Sequence, residues 1–215
     1  ILQRTGIRER HVVDKGVATS DLAAEAAREA IRKAGLVPAD IDFIVVGTTT
    51  PDTMFPSTAC LVQHNIGATN AWGYDLLAAC SGFTYGLTTA ANMVSTGASR
   101  HALVIGADVM SSIIDYTDRT TCVLFGDGAA AVVLQASDRE EGVIGSVLGC
   151  DAEARPVLRV RGVGCGYANR GITLGDTIWD FDGPTIFKRA VKGMTEACGQ
   201  VMQQAGVTGD QVQRR

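Results

Sequence analysis

Apolar runs and amphipathic stretches alternate along the first two thirds of the chain. Apolar residues repeating every three to four positions predict a helix that Thr19 or Ser20 would cap and that continues to about Ala34. Further helices are predicted over 56–65 and 82–95, and apolar runs predict strands over 41–47, 72–78, 102–106, 121–125 and 129–134. Because these strands are apolar on both faces and alternate with helices, the pattern favours a mostly parallel sheet with helices on both sides.

The pattern changes after a polar stretch at 137–141, which is typical of a boundary. Residues 143–150 predict one more strand, and 151–180 form a glycine-rich segment with little periodicity. Pro184 begins a predicted helix that continues to Ala205 and has one apolar face. We therefore expect an α/β protein in two parts, residues 1–137 and residues 142–215.

Composition excludes several classes of function. The 215 residues have a formal net charge of -4 and no basic cluster, so we expect no nucleic-acid partner. No apolar run reaches the length of a membrane span. The 6 cysteines include no C-x-x-C pair and no secretory signal precedes them, so we expect neither a metal site nor a disulfide framework, and a cytoplasmic location.

Cys80 is the candidate for chemistry. It follows an apolar strand and directly precedes a predicted helix, whose free N–H groups and dipole would stabilise a thiolate. Such a thiolate attacks carbonyl carbons, and its own N–H can bind the oxyanion that forms. The alternative is a buried free cysteine that acts as a small hydrophobic residue.

Three motifs stand out along the chain: Arg-Thr-Gly-Ile-Arg-Glu-Arg-His at 4–11, Ala-Ala-Cys-Ser-Gly-Phe at 78–83 and Phe-Gly-Asp-Gly-Ala at 125–129. In sequence and in order they resemble the motifs of the β-ketoacyl-acyl carrier protein synthase III family. The resemblance implies a thiolase-like layered αβαβα sandwich of two similar halves, each with a five-stranded sheet. The first half would be nearly complete and the second incomplete, so we expect a chain truncated at both ends.

The resemblance also implies a reaction. The cysteine would take an acyl group from acyl-CoA, and malonyl-acyl carrier protein would decarboxylate and attack the thioester to give a 3-oxoacyl product. This is the first condensation of type II fatty acid synthesis. It needs no cofactor, since acyl-CoA is a substrate, and the expected partners are acyl-CoA, acyl carrier protein and a second copy of the chain.

Site residues follow from the matching positions. Cys80 would be the nucleophile, and Arg4 and Arg119 would contact the nucleotide end of CoA. Gly183 and Phe187 match positions along the tunnel for CoA and pantetheine.

Three further residues are expected to shape the acyl pocket. Phe55 matches a residue that reaches across the dimer into the partner's pocket, although a Phe before Pro can also pack in the core. Thr49 and Met110 are expected to border the same pocket.

Lys188 has a different expected role. It matches a basic position near the carrier-protein surface.

Departures from the family pattern leave alternatives open. The His-Gln-Ala-Asn and Gly-Asn-Thr motifs that serve decarboxylation do not occur in this sequence, so we expect Cys80 acylation without completed condensation. One alternative is a non-catalytic fragment or subunit of a condensing enzyme. The other is a cysteine acyl hydrolase, which would need a later acid and histidine, and only His101 follows the cysteine. We expect Asp127 to stabilise a turn and Arg10 to bind an anion or pair with a nearby acid.

Overall fold

The computed structural model describes residues 2–139, 142–162, 164–165 and 177–212, without the side chains of Arg4 and Thr5. The chain divides into two units, residues 1–141 and residues 142–215. That these units are the two halves of a thiolase-like sandwich stays a prediction.

The first unit is built on a mixed four-stranded sheet in the order β2-β1-β3-β4. Strands β1, β2 and β3 are parallel, and β4 runs antiparallel to β3. The fifth strand expected for this half is not among the described residues. The elements in chain order are α1 (Leu2–Thr5), α2 (Thr19–Lys33), β1 (Phe43–Gly47), α3 (Thr58–Ile66), β2 (Trp72–Leu76), α4 (Gly82–Ser95), β3 (His101–Val109) and β4 (Asp127–Gln135).

Helices cover both faces of this sheet, which confirms the predicted arrangement. On one face α2 and α3 bury Ala27, Ile31 and Val62 against Ile44 and Leu103 of the central strands. On the other face α4 packs against the alternate residues of the same strands, which point the opposite way. The central strands are therefore buried on both sides, as their continuous apolar sequence requires.

Helix α4 approaches the sheet unusually closely because small residues line its contact face. Gly82, Gly86 and Ala90, spaced four residues apart, are the buried positions of this helix. A Cβ on Gly47, the last residue of β1, would lie 2.6 Å from the carbonyl carbon of Gly82 and 2.9 Å from the nitrogen of Phe83. The end of β1 and the start of α4 thus touch through their backbones, and only glycine permits this distance.

The N-terminus of α2 differs from the prediction. Thr19 and Ser20 lie within the helix rather than at its cap, which is Ala18. The carboxylate of Asp52 accepts hydrogen bonds from the N–H of Ser20 at 2.9 Å and from its hydroxyl at 2.7 Å. The Asp52 carboxylate, from a loop distant in sequence, therefore accepts an N–H at the helix start that the side chain of a cap residue would otherwise bind.

The predicted strand at 121–125 is wrong, because this segment forms turns. Asp118 accepts hydrogen bonds from the N–H of Thr120 at 2.8 Å and its hydroxyl at 2.7 Å, which closes an Asx turn. The Arg10 guanidinium donates to the carbonyl of Val123. The N–H of Cys122 donates to the Asp118 carbonyl at 3.0 Å and that of Leu124 to the Thr121 carbonyl at 2.9 Å, so turn bonds and the Arg10 contact occupy backbone that a β-ladder would need.

The second unit contains a two-stranded antiparallel sheet, β5 (Leu158–Arg161) and β6 (Ile178–Phe181), followed by helix α5 (Gly183–Ala205). The helix confirms the prediction for 184–205. The prediction of a strand at 143–150 is wrong, since these residues have no ladder partner in the described chain and a strand is stable only when paired. The interpretation of 151–180 as irregular missed β5 and β6, which are too short for periodicity to reveal.

Within the described ranges, none of the helices combines the length and the apolar character that crossing a bilayer requires.

The contact between Gly47 and Gly82 can be tested by adding one methyl group. We expect Gly47→Ala to lower the free energy of unfolding by about 1–3 kcal/mol, because the new Cβ meets backbone that cannot rotate away. Thermal unfolding followed by circular dichroism measures the effect. Gly128→Ala is the matched control, since a Cβ there meets nothing within 4 Å and the same unit is probed. Equal melting temperatures for both variants would contradict the prediction.

Candidate functional site

Cys80 lies in a tight turn between β2 and α4. Residues Ala79–Ser81 form a single 3-10 turn, and α4 begins at Gly82. Ala79 has a φ of 46°, in the left-handed region that costs a residue with a Cβ roughly 1–2 kcal/mol. The chain accepts this strain because the start of α4 is held against β1, which leaves few residues to turn the strand into the helix.

The thiol of Cys80 is exposed, so the alternative of a buried hydrophobic cysteine is wrong. It opens onto a cavity of about 360 Å³ at the edge of the sheet where the parallel strands end. Ligand sites in parallel α/β sheets lie at this edge, because the loops that follow the strands converge there. The cavity is lined by Gly47, Ala79, Cys80, Phe83, Gly106, Ala107, Asp108, Met110, Gly126, Asp127 and Gly128.

Asp108, near the end of β3, holds the loop that follows β1. Its Oδ1 accepts hydrogen bonds from the backbone N–H groups of Thr49 at 2.7 Å and Thr50 at 3.2 Å. The hydroxyl oxygens of Thr48, Thr49 and Thr50 lie 3.1, 2.9 and 3.0 Å from the same oxygen. One carboxylate oxygen therefore gathers a three-residue segment beside the cavity.

Asp127, on the neighbouring strand β4, plays a corresponding part. Its carboxylate accepts the N–H of Ser111 at 2.8 Å, the Ser111 hydroxyl at 2.6 Å and the N–H of Val13 at 2.9 Å. Burial alone would raise the pKa of Asp127, but these hydrogen bonds, with another from the Met110 N–H, outweigh burial and leave the pKa lowered. The expected turn role is thus too narrow, because this carboxylate joins three separate segments.

The motif at 4–11 and the motif at 125–129 meet in space. The N–H of Asp127 donates to the carbonyl of His11 at 2.8 Å, and a Cβ on Gly126 would lie 3.0 Å from that same oxygen. The Arg10 guanidinium donates to the carbonyls of Glu9 and Val123. Arg10 therefore fixes the backbone, and the expectation of an anion site or an ion pair for it stays a prediction.

The predicted acyl-pocket residues have different positions. Met110 lines the cavity with Cys80. Thr49 lies behind it, with its hydroxyl oxygen 3.8 Å from Met110 Sδ. Phe55 does not line the cavity and is 80% exposed in the loop before α3, so its interpretation as a core residue is wrong.

The predicted CoA and carrier-protein residues lie away from the cavity lining or outside its unit. Arg119 is exposed in the turn that Asp118 closes, and the side chain of Arg4 lies outside the described residues. Gly183, Phe187 and Lys188 all lie in the first turns of α5, in the second unit, where Phe187 is 70% exposed.

The arrangement suits attack on a carbonyl. In the described ranges no His, Cys, Asp and Glu side chains form a group that could hold a metal ion. The helix α4 directs its first N–H groups toward the turn that holds the cysteine, where an oxyanion would be stabilised.

Sequence reasoning missed Asp108, Gly47 and Gly106 as site residues. A signal for Asp108 exists, because it is an acid near the end of an otherwise apolar strand. Three consecutive threonines, at 48–50, follow β1, the parallel strand beside it. Gly47 and Gly106 carry no such signal, since glycine at a strand end is also ordinary loop chemistry.

Comparisons with known proteins agree with this geometry. The family model for 3-oxoacyl-[acyl-carrier-protein (ACP)] synthase III matches residues 74–152. The β-ketoacyl-[acyl-carrier-protein] synthase III of Koribacter versatilis is 48% identical over 216 residues, covering 99% of this chain and 65% of the relative. The protein of the same name from Bordetella petrii is 47% identical, covering 96% of this chain and 62% of the relative.

A solved structure gives the same result. The crystal structure of 3-oxoacyl-[acyl-carrier-protein] synthase III from Aquifex aeolicus VF5 superposes with a TM-score of 0.88 at 38% identity, covering 98% of this chain and 64% of that chain. The fold is therefore the thiolase-like α/β fold. Over nearly its whole length the chain is similar to members of the β-ketoacyl-acyl carrier protein synthase III family. It spans slightly less than two thirds of the length of these curated relatives.

The lowered pKa of Asp127 predicts an acid-dependent loss of stability. A carboxyl with a lowered folded-state pKa contributes stability above its unfolded pKa of about 3.9, and this contribution is lost as the pH falls through the folded pKa. We expect Asp127→Asn to lower the free energy of unfolding at neutral pH by about 1.5–3 kcal/mol, with the difference from wild type shrinking below about pH 4.

Urea denaturation at a series of pH values measures this difference. Asp138→Asn is the control, because it makes the same charge change at an exposed position just after β4. A difference between wild type and Asp127→Asn that stays constant down to low pH would show that the carboxylate does not act through its charge.

Proposed function

We propose that this protein transfers an acyl group from acyl-CoA to Cys80, as the first step of the condensation with malonyl-acyl carrier protein to a 3-oxoacyl product that initiates type II fatty acid synthesis. We expect the 215 residues by themselves to stop at acylation, because the His-Gln-Ala-Asn and Gly-Asn-Thr motifs do not occur in them. One observation supports it above all others. Cys80 is exposed in a strained turn directly before a helix and opens onto a cavity of about 360 Å³. The similarity of the chain to this family supports the choice of substrates.

The first half-reaction needs only groups near this turn. The Cys80 sulfur attacks the thioester carbonyl carbon, and the carbonyl oxygen becomes an oxyanion near the N-terminus of α4. The C–S bond to CoA then breaks, CoA leaves as the thiolate, and the acyl group remains on Cys80. Decarboxylation of the malonyl thioester would release CO₂ and supply the carbanion that attacks the acyl carbon; a C–C bond forms, the acyl–sulfur bond breaks, and Cys80 leaves as the thiolate.

Binding of the substrates is part of the same proposal. Arg4 and Arg119 would contact the nucleotide end of CoA, Gly183 and Phe187 would border the pantetheine path, and Lys188 would face the acidic carrier protein. The exposed position of Arg119, on a turn closed by Asp118, supports its availability to a phosphate. No cofactor enters this scheme, and a cytoplasmic location stays a prediction.

An acyl hydrolase has less support. Its histidine would have to act on Cys80, but His101 begins β3 while the cavity lies near Asp108, toward the other end of that strand. Seven residues of extended chain separate these ends by roughly 23 Å. The Nδ1 of His101 also lies 3.0 Å from the carbonyl of Asp40, far from the thiol in the fold.

A homodimer is the remaining part of the proposal. Phe55 and its neighbour Met54 are 80% and 86% exposed on one loop, which is costly for two large apolar side chains unless a partner covers them. Strand β2 is an edge strand of the sheet, and its Trp72 is 53% exposed. A second copy would cover both features.

Acylation of Cys80 tests the proposed chemistry. After incubation with acetyl-CoA, intact mass spectrometry should find one added acetyl group on wild type, and Cys80→Ala should reduce this labelling at least about 10³-fold because the nucleophile is gone. Cys60→Ala removes another exposed cysteine and should label like wild type. Free CoA released in many turnovers without a stable adduct would indicate a hydrolase, and no reaction at all would indicate a non-catalytic subunit.

The dimer is tested at Phe55. We expect Phe55→Ser to raise the dimer dissociation constant about tenfold or more in sedimentation velocity, because an exposed aromatic side chain at an interface supplies much of its binding energy. Val37→Ser, at an apolar residue 57% exposed elsewhere on this unit, should leave the constant unchanged. A wild-type protein that stays monomeric at high concentration would refute the proposed dimer.

A further inference from the structure

The wall of the cavity beside Cys80 depends on a residue outside the expected set. Met110 forms part of this wall, together with Asp108 two residues earlier. Behind Met110 lies Thr49, whose hydroxyl oxygen is 3.8 Å from Met110 Sδ. What holds Thr49 in place therefore also supports Met110.

Asp108 is the group that holds Thr49. Its Oδ1 accepts the Thr49 N–H at 2.7 Å and lies 2.9 Å from the Thr49 hydroxyl oxygen. Both neighbours of Thr49 are tied to the same oxygen, Thr48 by its hydroxyl and Thr50 by its N–H. Hydrogen bonds to an ionised acceptor are about twice as strong as those between neutral groups. Loss of this carboxylate would release the whole segment.

The arrangement is further fixed from the neighbouring strand. The N–H of Val109, next to Asp108, donates to the Thr50 hydroxyl oxygen at 2.8 Å, and that hydroxyl is buried. On the other side of Met110, Asp127 accepts the N–H of Ser111 at 2.8 Å. Met110 is thus held between two carboxylates, of which Asp108 alone reaches the threonine segment behind it.

We infer that Asp108 is a positioning residue that sets how long an acyl group the cavity beside Cys80 accepts. The inference rests on the proposed transfer of an acyl group to Cys80. An acyl chain that extends from the Cys80 sulfur meets the Met110 wall, and Asp108 keeps that wall in place through Thr49. A wall that moves would let acyl chains of different lengths react at similar rates. A fixed wall changes the acylation rate by roughly 10–200-fold for each methylene.

The test compares acylation of Cys80 by acetyl-, butyryl-, hexanoyl- and octanoyl-CoA, followed by intact mass spectrometry under single-turnover conditions. For Asp108→Ala we expect the ratio of the fastest to the slowest thioester to fall about tenfold relative to wild type. For Asp108→Asn we expect the wild-type ratio, because the amide oxygen still accepts the N–H groups of Thr49 and Thr50.

Asp52→Ala is the matched control. Asp52 also anchors backbone, accepting the N–H of Ser20 at 2.9 Å, but it does not line the cavity. The variant Asp52→Ala should be less stable than wild type but should keep the wild-type chain-length preference. This result would separate positioning of the wall from a general loss of structure. If Asp108→Ala does not fold, Thr49→Val replaces it, since valine keeps the shape and removes the hydroxyl; a several-fold fall in the ratio is then expected.

The outcomes separate the two proposals. Wild type that forms no Cys80 adduct with any of the four thioesters overturns the proposed function and this inference with it. Wild-type acylation with an unchanged chain-length ratio in folded Asp108→Ala, or in Thr49→Val where that variant is used, overturns this inference alone. A ratio that falls equally in Asp52→Ala also overturns it.

Discussion

The backbone contact between Gly47 and Gly82 is the constraint on which the site depends. A Cβ at Gly47 would lie 2.6 Å from the Gly82 carbonyl carbon, so the end of β1 and the start of α4 meet at a distance that requires glycine at position 47. With α4 held there, the chain leaving β2 has five residues, 77–81, in which to enter the helix. The positive φ of Ala79 follows from this short connection, and it places Cys80 at the open edge of the sheet rather than beneath it. The packing of α4 against β1 thus keeps Ala79 in its strained conformation. Such strain is common where a reactive group must be exposed.

Carboxylates organise the loops around that edge. Loops that follow parallel strands leave N–H groups without ladder partners, and each such group is costly if it is buried and unpaired. Asp75 accepts the N–H groups of Thr58 and Ala59 at the start of α3, at 2.7 and 2.8 Å. Asp108 and Asp127 do the same for the segments on either side of Met110. Because an ionised oxygen accepts several donors at once, three side chains are enough to fix the loops, and the cavity is bordered by rigid backbone.

Much of the first unit could be predicted from its sequence, because each element there has a strong local signal. Helix α4 and strands β1, β2, β3 and β4 lie where the apolar pattern placed them, with ends that differ by a few residues. Two of the failures arise because groups outside the segment decided the outcome. Residues 121–125 are apolar enough for a strand, but the Asp118 carbonyl accepts the N–H of Cys122 and Arg10 donates to the carbonyl of Val123. Thr19 and Ser20 have the composition of a helix cap, but Asp52 caps α2 from 32 residues away. Strands β5 and β6 are each four residues long, and so short a segment has no measurable period.

The sequence by itself determined the alternation of strands and helices, the cysteine at the junction of an apolar run and a helix, and the three motifs that resemble the family. These are local properties, set by side-chain periodicity and by the order of residues. Only the tertiary structure decided which segments meet at the cysteine. Asp108 bonds Thr49 across 59 positions of sequence, and Asp127 bonds Val13 across 114. A hydrogen bond depends on the distance between two atoms in space, and neither composition nor periodicity encodes that distance until the sheet has brought the strand ends to one edge.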